Sequence, residues 1–479
     1  MNVTLITCVV IYLLATLAIG VYAGTRVKNT RDFAIAGRSL PLIMVVTTTF
    51  ATWFGAETVM GIPAKFIQGG MNAIVEDPFG AGFCLILVGM FFAARLYKLN
   101  LMTIGDYYRQ RYGKGIEIFC SSAIILSYLG WVAAQVTALG LVFTVLTDGA
   151  MSPAQGMVVG TLAVLIYVVA GGFLAIAITD FIQVIVLVVG LSIIAWFAAD
   201  LAGGADKVFA LAQQRDLWQF LPPPRMHDIL FFVAAALTMM IGSIPQQDIF
   251  QRVMSAKDAP TARAGAIIGG TSYILFAFVP MFIVGCAVLV LGDAGMELAK
   301  NDYQRLLPTF VMTKMPLIMQ ILFFGALLSA IKSTSSATLL APSTSFVENI
   351  LKNIRPDMDD RQQLFAVRCS IVGFAAIVLV YAILMEGTPI YDLVSSAYQV
   401  PLVGAFVPLV MGMYWKRATT QGAILSVGAG LGTWLVFLVV PGIGEVFPGQ
   451  LAGLLAAFAG MFIGSLAPQT LRNEQTIAA

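Results

Sequence analysis

The chain has 479 residues, of which 59% are hydrophobic and only 11% charged, and its mean hydropathy is +0.90. A soluble domain carries about 25% charged residues, so the composition excludes a soluble globule and indicates a polytopic membrane protein. The formal net charge of +2 comes from scattered Lys and Arg without a basic run, which gives no ground for nucleic-acid binding.

Apolar spans of about 20 residues are expected near 3–23, 42–70, 78–96, 116–146, 154–171, 173–199, 229–253, 264–292, 316–350, 364–386, 392–414, 420–441 and 449–468. These make an all-α integral membrane fold of about 13 transmembrane helices. The first span is too long for a signal h-region and lacks both a basic n-region and an A-x-A site, so it is read as permanent. Thr103–Lys114 (TIGDYYRQRYGK) reads as a short amphipathic helix at the surface. With the N-terminus outside and the C-terminus cytoplasmic, most Lys and Arg residues, Arg252 and Arg472 among them, lie inside. Lys65, Lys207, Arg215, Arg225, Lys300, Arg305 and Lys314 then lie outside. The expected location is the plasma membrane, here a bacterial cytoplasmic membrane. The outer loops Leu201–Asp228 and Gly292–Met315 read as caps or gates. Cys8, Cys84, Cys120, Cys286 and Cys369 are odd in number and lack metal spacing. The lone histidine, His227, argues against a His-based metal centre or triad.

The stretch Val46 to Pro63 (VTTTFATWFGAETVMGIP) breaks the rules for an ordinary span, with a Thr run, a Gly-Ala pair, Glu57 and a Gly-Ile-Pro exit. An ionisable group at membrane depth costs about 2.5–3.5 kcal/mol and usually faces a cavity. Helix-weakening residues at that depth need freed backbone groups re-satisfied. The reading is an interrupted helix that can hold an ion and a solute; a kinked packing helix is the alternative. Asp180, Lys332 and, near a membrane face, Asp392 are further charges that apolar packing does not explain, although a structural pairing remains open for Asp180. The densest polar patch is Leu328–Ser343 (LSAIKSTSSATLLAPS), where Ala330, Ser333, Thr334 and Ala337 share one helix face. Small residues at such spacing also serve close helix packing, but the excess of hydroxyls suits a hard alkali cation.

FATWFGAETVMG, GGFLAIAITDFIQ, SIPQQDIFQRVMSAKD and SAIKSTSSAT resemble, in order, the first broken core helix, the paired-glycine signature, the sixth core helix and the eighth core helix of the sodium:solute symporters. The likeness runs from about Arg38 to Arg417. It implies a LeuT-type 5+5 inverted-repeat core over 41–417, preceded by an extra helix in 1–40 and followed by two helices and a cytoplasmic tail in 418–479. It further implies a sodium site of backbone oxygens near Ala51, Phe54 and Ala330 with the hydroxyls of Ser333 and Thr334. Asp180, Ser333 and Ser336 match a second cation site of some members. Ala337 lacks the hydroxyl expected there, so one sodium per cycle is the reading. A small organic solute would lie between Trp53, Glu57 and Thr58 on one side and Gln246 and Gln247 on the other. LILVGMFFAARLYK and LGWVAAQVTALG are similar to the choline-transporter branch, in which aromatic rings cage a quaternary ammonium. Trp53 and Trp131 match two cage positions, Gln246 stands where that branch has a tryptophan, and Trp131 serves equally as a packing ring.

The resulting expectation is secondary active transport, with Na+ as coupling ion, no organic cofactor and no enzymatic activity. No G-x-x-x-x-G-K-[ST] loop is present for direct ATP drive. Lys332, one residue before Ser333, admits three arrangements: pairing with Glu57 or Asp180, deprotonation that links transport to protons, or replacement of the ion by its ammonium. A solute sensor working with a partner and an integral-membrane enzyme are the rival classes; the second would need converging titratable groups.

Overall fold

A computed structural model of the protein describes residues 2–471, so Arg472 and the rest of the expected tail lie outside the described residues. Among the described residues ten helices are long and apolar enough to cross a membrane, or twelve if each of two bent pairs is one span. The thirteen expected from sequence are not separately countable. The difference lies in Pro153–Leu201, a helical run of 49 residues. At about 1.5 Å per residue it would reach more than twice the roughly 30 Å of a bilayer core. It breaks at Gly172 (φ 54°, ψ −151°), where the sequence reading placed a boundary. A Cβ at Gly172 would lie 2.5 Å from the Phe33 carbonyl oxygen, so the break admits only glycine.

Local chemistry sets the helix starts. Thr103 caps Ile104–Tyr112 and exchanges bonds with Asp106, while Ser152 does so with Gln155 and Asp359 with Gln362. Each cap satisfies amides that a helix start leaves free. Ile104–Tyr112 is the short helix expected at the surface, with Tyr107, Tyr108 and Tyr112 turned inward. The two long loops fold into short helices, Ala205–Gln214 in one and Asp293–Asn301 and Leu306–Lys314 in the other.

The centre is built from the bent pairs Leu42–Trp53 with Glu57–Gly69 (58°) and Met226–Gly242 with Gln247–Ser255 (43°). Lys114–Leu146, the second half of Pro153–Leu201 and Leu317–Ile354 surround them. Val3–Gly24 packs from outside and buries mainly Leu5, Val9, Thr16, Gly20 and Ala23. Arg252, counted from sequence among the cytoplasmic charges, is instead only 2% exposed inside Gln247–Ser255. The broken helix carries it back into the core.

Candidate functional site

The first break follows from Gly55 and its neighbours. The helix ends at Phe54 (φ −89°, ψ 71°) and resumes at Glu57. The freed amide of Ala56 donates to Gln135 Oε1 at 2.9 Å, a cross-helix replacement for the missing helical bond. Pro245 lies in the second break, where it can neither donate an N–H nor let Ile244 stay helical.

Between the breaks four rings close on one another. Trp53 and Trp131 meet edge to face at 5.5 Å, Tyr128 stacks on Trp131 at 6.0 Å, and Tyr398 lies 5.4 Å from Trp131 and 6.0 Å from Trp53. Each indole is aimed by a carboxylate. Trp53 Nε1 donates to Asp248 Oδ2 at 3.2 Å, and Trp131 Nε1 donates to Glu57 Oε1 at 3.0 Å. Tyr128 donates to Asp248 Oδ1 at 2.6 Å, and Gln135 Nε2 to Glu57 Oε2 at 2.6 Å. All these side chains are buried. Gln246 donates to Ser127 at 2.8 Å. Its own carbonyl oxygen and the Tyr398 hydroxyl are buried without a protein partner among the described residues. Such groups point to a ligand or water. Thr58 bonds the Trp53 carbonyl (3.2 Å) and the Tyr273 hydroxyl (3.0 Å). Gln247 faces away from this gap: its Oε1 accepts from Ile104 N at 2.9 Å, so it tethers the surface helix.

Next to this box, Thr334 Oγ1 points at the Ala51 carbonyl at 3.5 Å, which joins two of the expected ion ligands. A Cβ built on Gly55 would sit 2.6 Å from Glu57 Oε2, 2.7 Å from Thr334 Oγ1 and 2.8 Å from Gln135 Oε1. Groups expected at the ion and at the solute therefore meet at one bare glycine. Phe54 supplies the interrupted backbone, and Ala330 lies one turn before Thr334 at 1% exposure. Ser333 faces elsewhere. It donates to Asp180 Oδ1 at 2.6 Å, and Thr48 donates to Oδ2 at 2.5 Å. Ser336 bonds back to the Ser333 carbonyl at 2.8 Å. Arg252 donates to the Thr48 carbonyl (3.2 Å), to the Asp248 carbonyl (2.7 Å) and to the Thr52 hydroxyl.

Lys332 sits on the opposite side of its helix. Its Nζ donates to Thr16 Oγ1 at 2.6 Å and lies 4.4 Å from the Tyr167 ring centroid, a cation–π arrangement. Glu57 is held by Trp131 and Gln135, and Asp180 by Ser333 and Thr48; Lys332 forms no ion pair with either among the described residues. Asp392, exposed near a face, pairs with Lys65 at 3.2 Å.

Sequence reasoning missed Asp248, Arg252, Gln135, Tyr128 and Tyr398. Only Asp248 and Arg252 left a trace, an acid and a base four residues apart. The three others come from Lys114–Leu146 and Ile390–Pro401, where nothing in the local pattern singles them out.

The profile of the Sodium:solute symporter family matches residues 33–430. Human high affinity choline transporter 1 is 26% identical over 89% of this chain and 75% of its own length. The sodium/sialic acid symporter NanT of Aliivibrio fischeri (strain ATCC 700601 / ES114) is 26% identical over 97% of this chain and 93% of its own. Among solved structures, a Na+-coupled sialic acid symporter in a substrate-bound outward-open state superposes with a TM-score of 0.85 at 21% identity, covering 97% of this chain and 98% of that one. That likeness gives the LeuT-type fold. With most of its length matched and two broken helices framing one buried site, the chain belongs to the sodium:solute symporter family and is a transporter, not an enzyme.

Proposed function

We propose that the protein couples Na+ entry to uptake of a small organic cation by alternating access. The observation that carries this reading is the aromatic box itself. Two carboxyl groups on opposite broken helices each hold one indole N–H, so ring faces and two acidic side chains, one of them next to Arg252, front the same gap. Ring faces attract cations, by about 2 kcal/mol or more when desolvated. An anionic solute would meet two buried acids. Tyr398 and Tyr128 supply rings that the departure at Gln246 removes from the cage. A positively charged solute and Na+ entering together are both driven by the membrane potential, at about 2.3 kcal/mol per charge per 100 mV.

In this reading the core is an inverted repeat of five and five helices over 41–417. Pro153–Leu201 counts as two of thirteen spans, and the positive-inside bias sets the N-terminus outside. Na+ lies between the Ala51 and Phe54 carbonyls and Thr334, with Ala330 behind it. Ser333 reaches it through Asp180. Lys332 stands apart and lends its charge to the Asp180 neighbourhood.

The test is uptake into proteoliposomes under an inward Na+ gradient. Labelled choline and small protonated amines are expected to accumulate and to compete with one another, while sialic acid and pantothenate do not compete. Accumulation of an anionic solute that the cations leave undisturbed would end the cationic reading. Uptake that ignores Na+ and follows a pH gradient instead would hand coupling to Lys332.

The ion assignment carries its own expectation. Thr334→Ala should raise the Na+ concentration for half-maximal uptake by about tenfold, because a lost buried ligand oxygen costs about 1–3 kcal/mol and 1.4 kcal/mol is about tenfold. Ser333→Ala should do the same through Asp180. Unchanged Na+ dependence in both variants removes the site.

A further inference from the structure

Gln247 and the short helix Ile104–Tyr112 meet at one buried point. Ile104 opens that helix, so its amide is among those a helix start leaves without a helical partner. Asp106 Oδ2 serves the two amides before it, Met102 at 3.1 Å and Thr103 at 2.9 Å. The Ile104 amide is met from another element, by Gln247 Oε1 at 2.9 Å. Gln247 Nε2 also faces the Met102 carbonyl at 3.5 Å. Gln247 is fully buried and Ile104 is 1% exposed, so the bond is sealed from solvent.

The rest of the short helix is fastened elsewhere. Asn349 Nδ2 donates to Asp106 Oδ1 at 3.1 Å and to Glu117 Oε1, at the start of Lys114–Leu146, at 3.0 Å. Tyr108 and Tyr112 donate to the Ala405 and Pro408 carbonyls at 2.8 and 2.9 Å. Arg111 donates to the Gly412 and Ala418 carbonyls at 3.1 and 2.8 Å. The short helix packs closely on Lys114–Leu146 and hardly touches Gln247–Ser255. Among the described residues Gln247 alone bonds its start to the second broken helix. One turn after Gln247 and on the same face, Gln251 is fully buried with both amide ends unpartnered among the described residues. A buried amide that meets nothing is costly in a fixed structure. The cost falls away when the face it lies on opens to water.

We propose that Gln247 is a positioning residue for transport, the releasable latch between the second broken helix and the short helix. A transporter must part the elements on one side of a buried site to release its solute. A junction held by one side chain, with little packing behind it, is where they part. Its groups are ordinary amides and carbonyls, so water takes them over at small net cost when the contact opens, and Gln251 then gains partners. Gln246, the residue next to the latch, reaches the other way, to Ser127 beside the aromatic box. A shift of Gln246 with its solute therefore arrives at the latch across one peptide unit. The proposal rests on the alternating-access reading above and on no choice of ion or solute.

The test is thiol labelling of the purified full-length protein by a charged methanethiosulfonate, read at residue 251 by mass spectrometry. Gln251→Cys alone should react slowly. Adding Gln247→Leu, which removes both the acceptor and the donor, should speed that labelling by about tenfold or more, the factor that 1.4 kcal/mol gives. Gln247→Asn, shorter by one methylene, serves in its place where Gln247→Leu does not fold. Gln247→Glu keeps an acceptor oxygen at a helix start, where an anion is favoured, and should leave labelling at the Gln251→Cys rate. Native Cys120, 0% exposed on Lys114–Leu146, should stay unreactive throughout, which separates opening of the latch from loosening of the fold. The labelling needs neither Na+ nor solute, so its failure leaves the transport reading standing, and a wrong solute or ion leaves the latch standing. Equal rates at residue 251 with and without the Gln247 change, an acceleration that Gln247→Glu shares, or one that Cys120 matches, overturns the proposal.

Discussion

Gly55→Ala should cost at least a hundredfold in uptake, about 2.8 kcal/mol, while the protein still folds. The added methyl would press on Glu57 Oε2, Thr334 Oγ1 and Gln135 Oε1 at 2.6–2.8 Å. These are ends of movable side chains, so the fold yields by swinging them aside. The carboxylate so pressed holds Gln135 through Oε2 and Trp131 through Oε1, the hydroxyl faces the Ala51 carbonyl, and the amide caps Ala56. Relief of the clash and loss of function are one movement. Gly325→Ala, in a helix where a Cβ would meet nothing within 4 Å, is the control and should transport normally. A Gly55→Ala variant with ordinary Na+ and solute half-saturation would show that the two sites do not converge there.

Arg252→Met should be the most destabilising single change in the core. The guanidinium donates to the Thr48 and Asp248 carbonyls and to Thr52, and it lies 5.3 Å from the Phe173 ring centroid. Methionine leaves those oxygens unmet and leaves Asp248 and Asp180 buried without their shared base. Breaking a buried charge set in this way costs about 3–5 kcal/mol. Arg252→Lys should rescue little, because one ammonium cannot make the fork of bonds. Combining Arg252→Met with Asp248→Asn should recover part of the loss. Thermal unfolding of the purified protein reads all three variants against the wild type; a wild-type melting temperature for Arg252→Met would mean that the acids are neutral or otherwise satisfied.

The breaks were legible because they are local. Gly55 beside Glu57, Pro245 beside paired glutamines, and Gly171–Gly172 each announce an interruption within a few residues. Trp53, Glu57, Asp180 and Thr334 stood out as candidates because a ring, a charge or a hydroxyl at bilayer depth needs a reason. What failed was direction. Gln246 and Gln247 are neighbours, yet the restart of the helix between them sends one toward Ser127 and the other toward Ile104. Arg252 read as an exit charge because hydropathy counts residues and not the turn that folds the helix back. Tyr398 meets Trp53 and Trp131 from a segment far along the chain, a contact that no local pattern encodes. The charge pairing of Lys332 was argued from carboxylates near the same core, but its helix rotates the ammonium toward Thr16 and Tyr167.

That bond between Lys332 and Thr16 spans 316 residues of sequence, and it sets an order of assembly. Ribosomes add about 5–20 residues per second, so the first helix waits in the bilayer for tens of seconds before its partner is made. It is apolar enough to stand alone in lipid in the meantime. Lys332 is different: a lysine at mid-membrane resists insertion by about 2.5–3.5 kcal/mol. When its segment leaves the translocon, a hydroxyl and an aromatic face are already in place to receive it. The outermost helix thus acts during biogenesis as a docking post for the most reluctant segment of the chain.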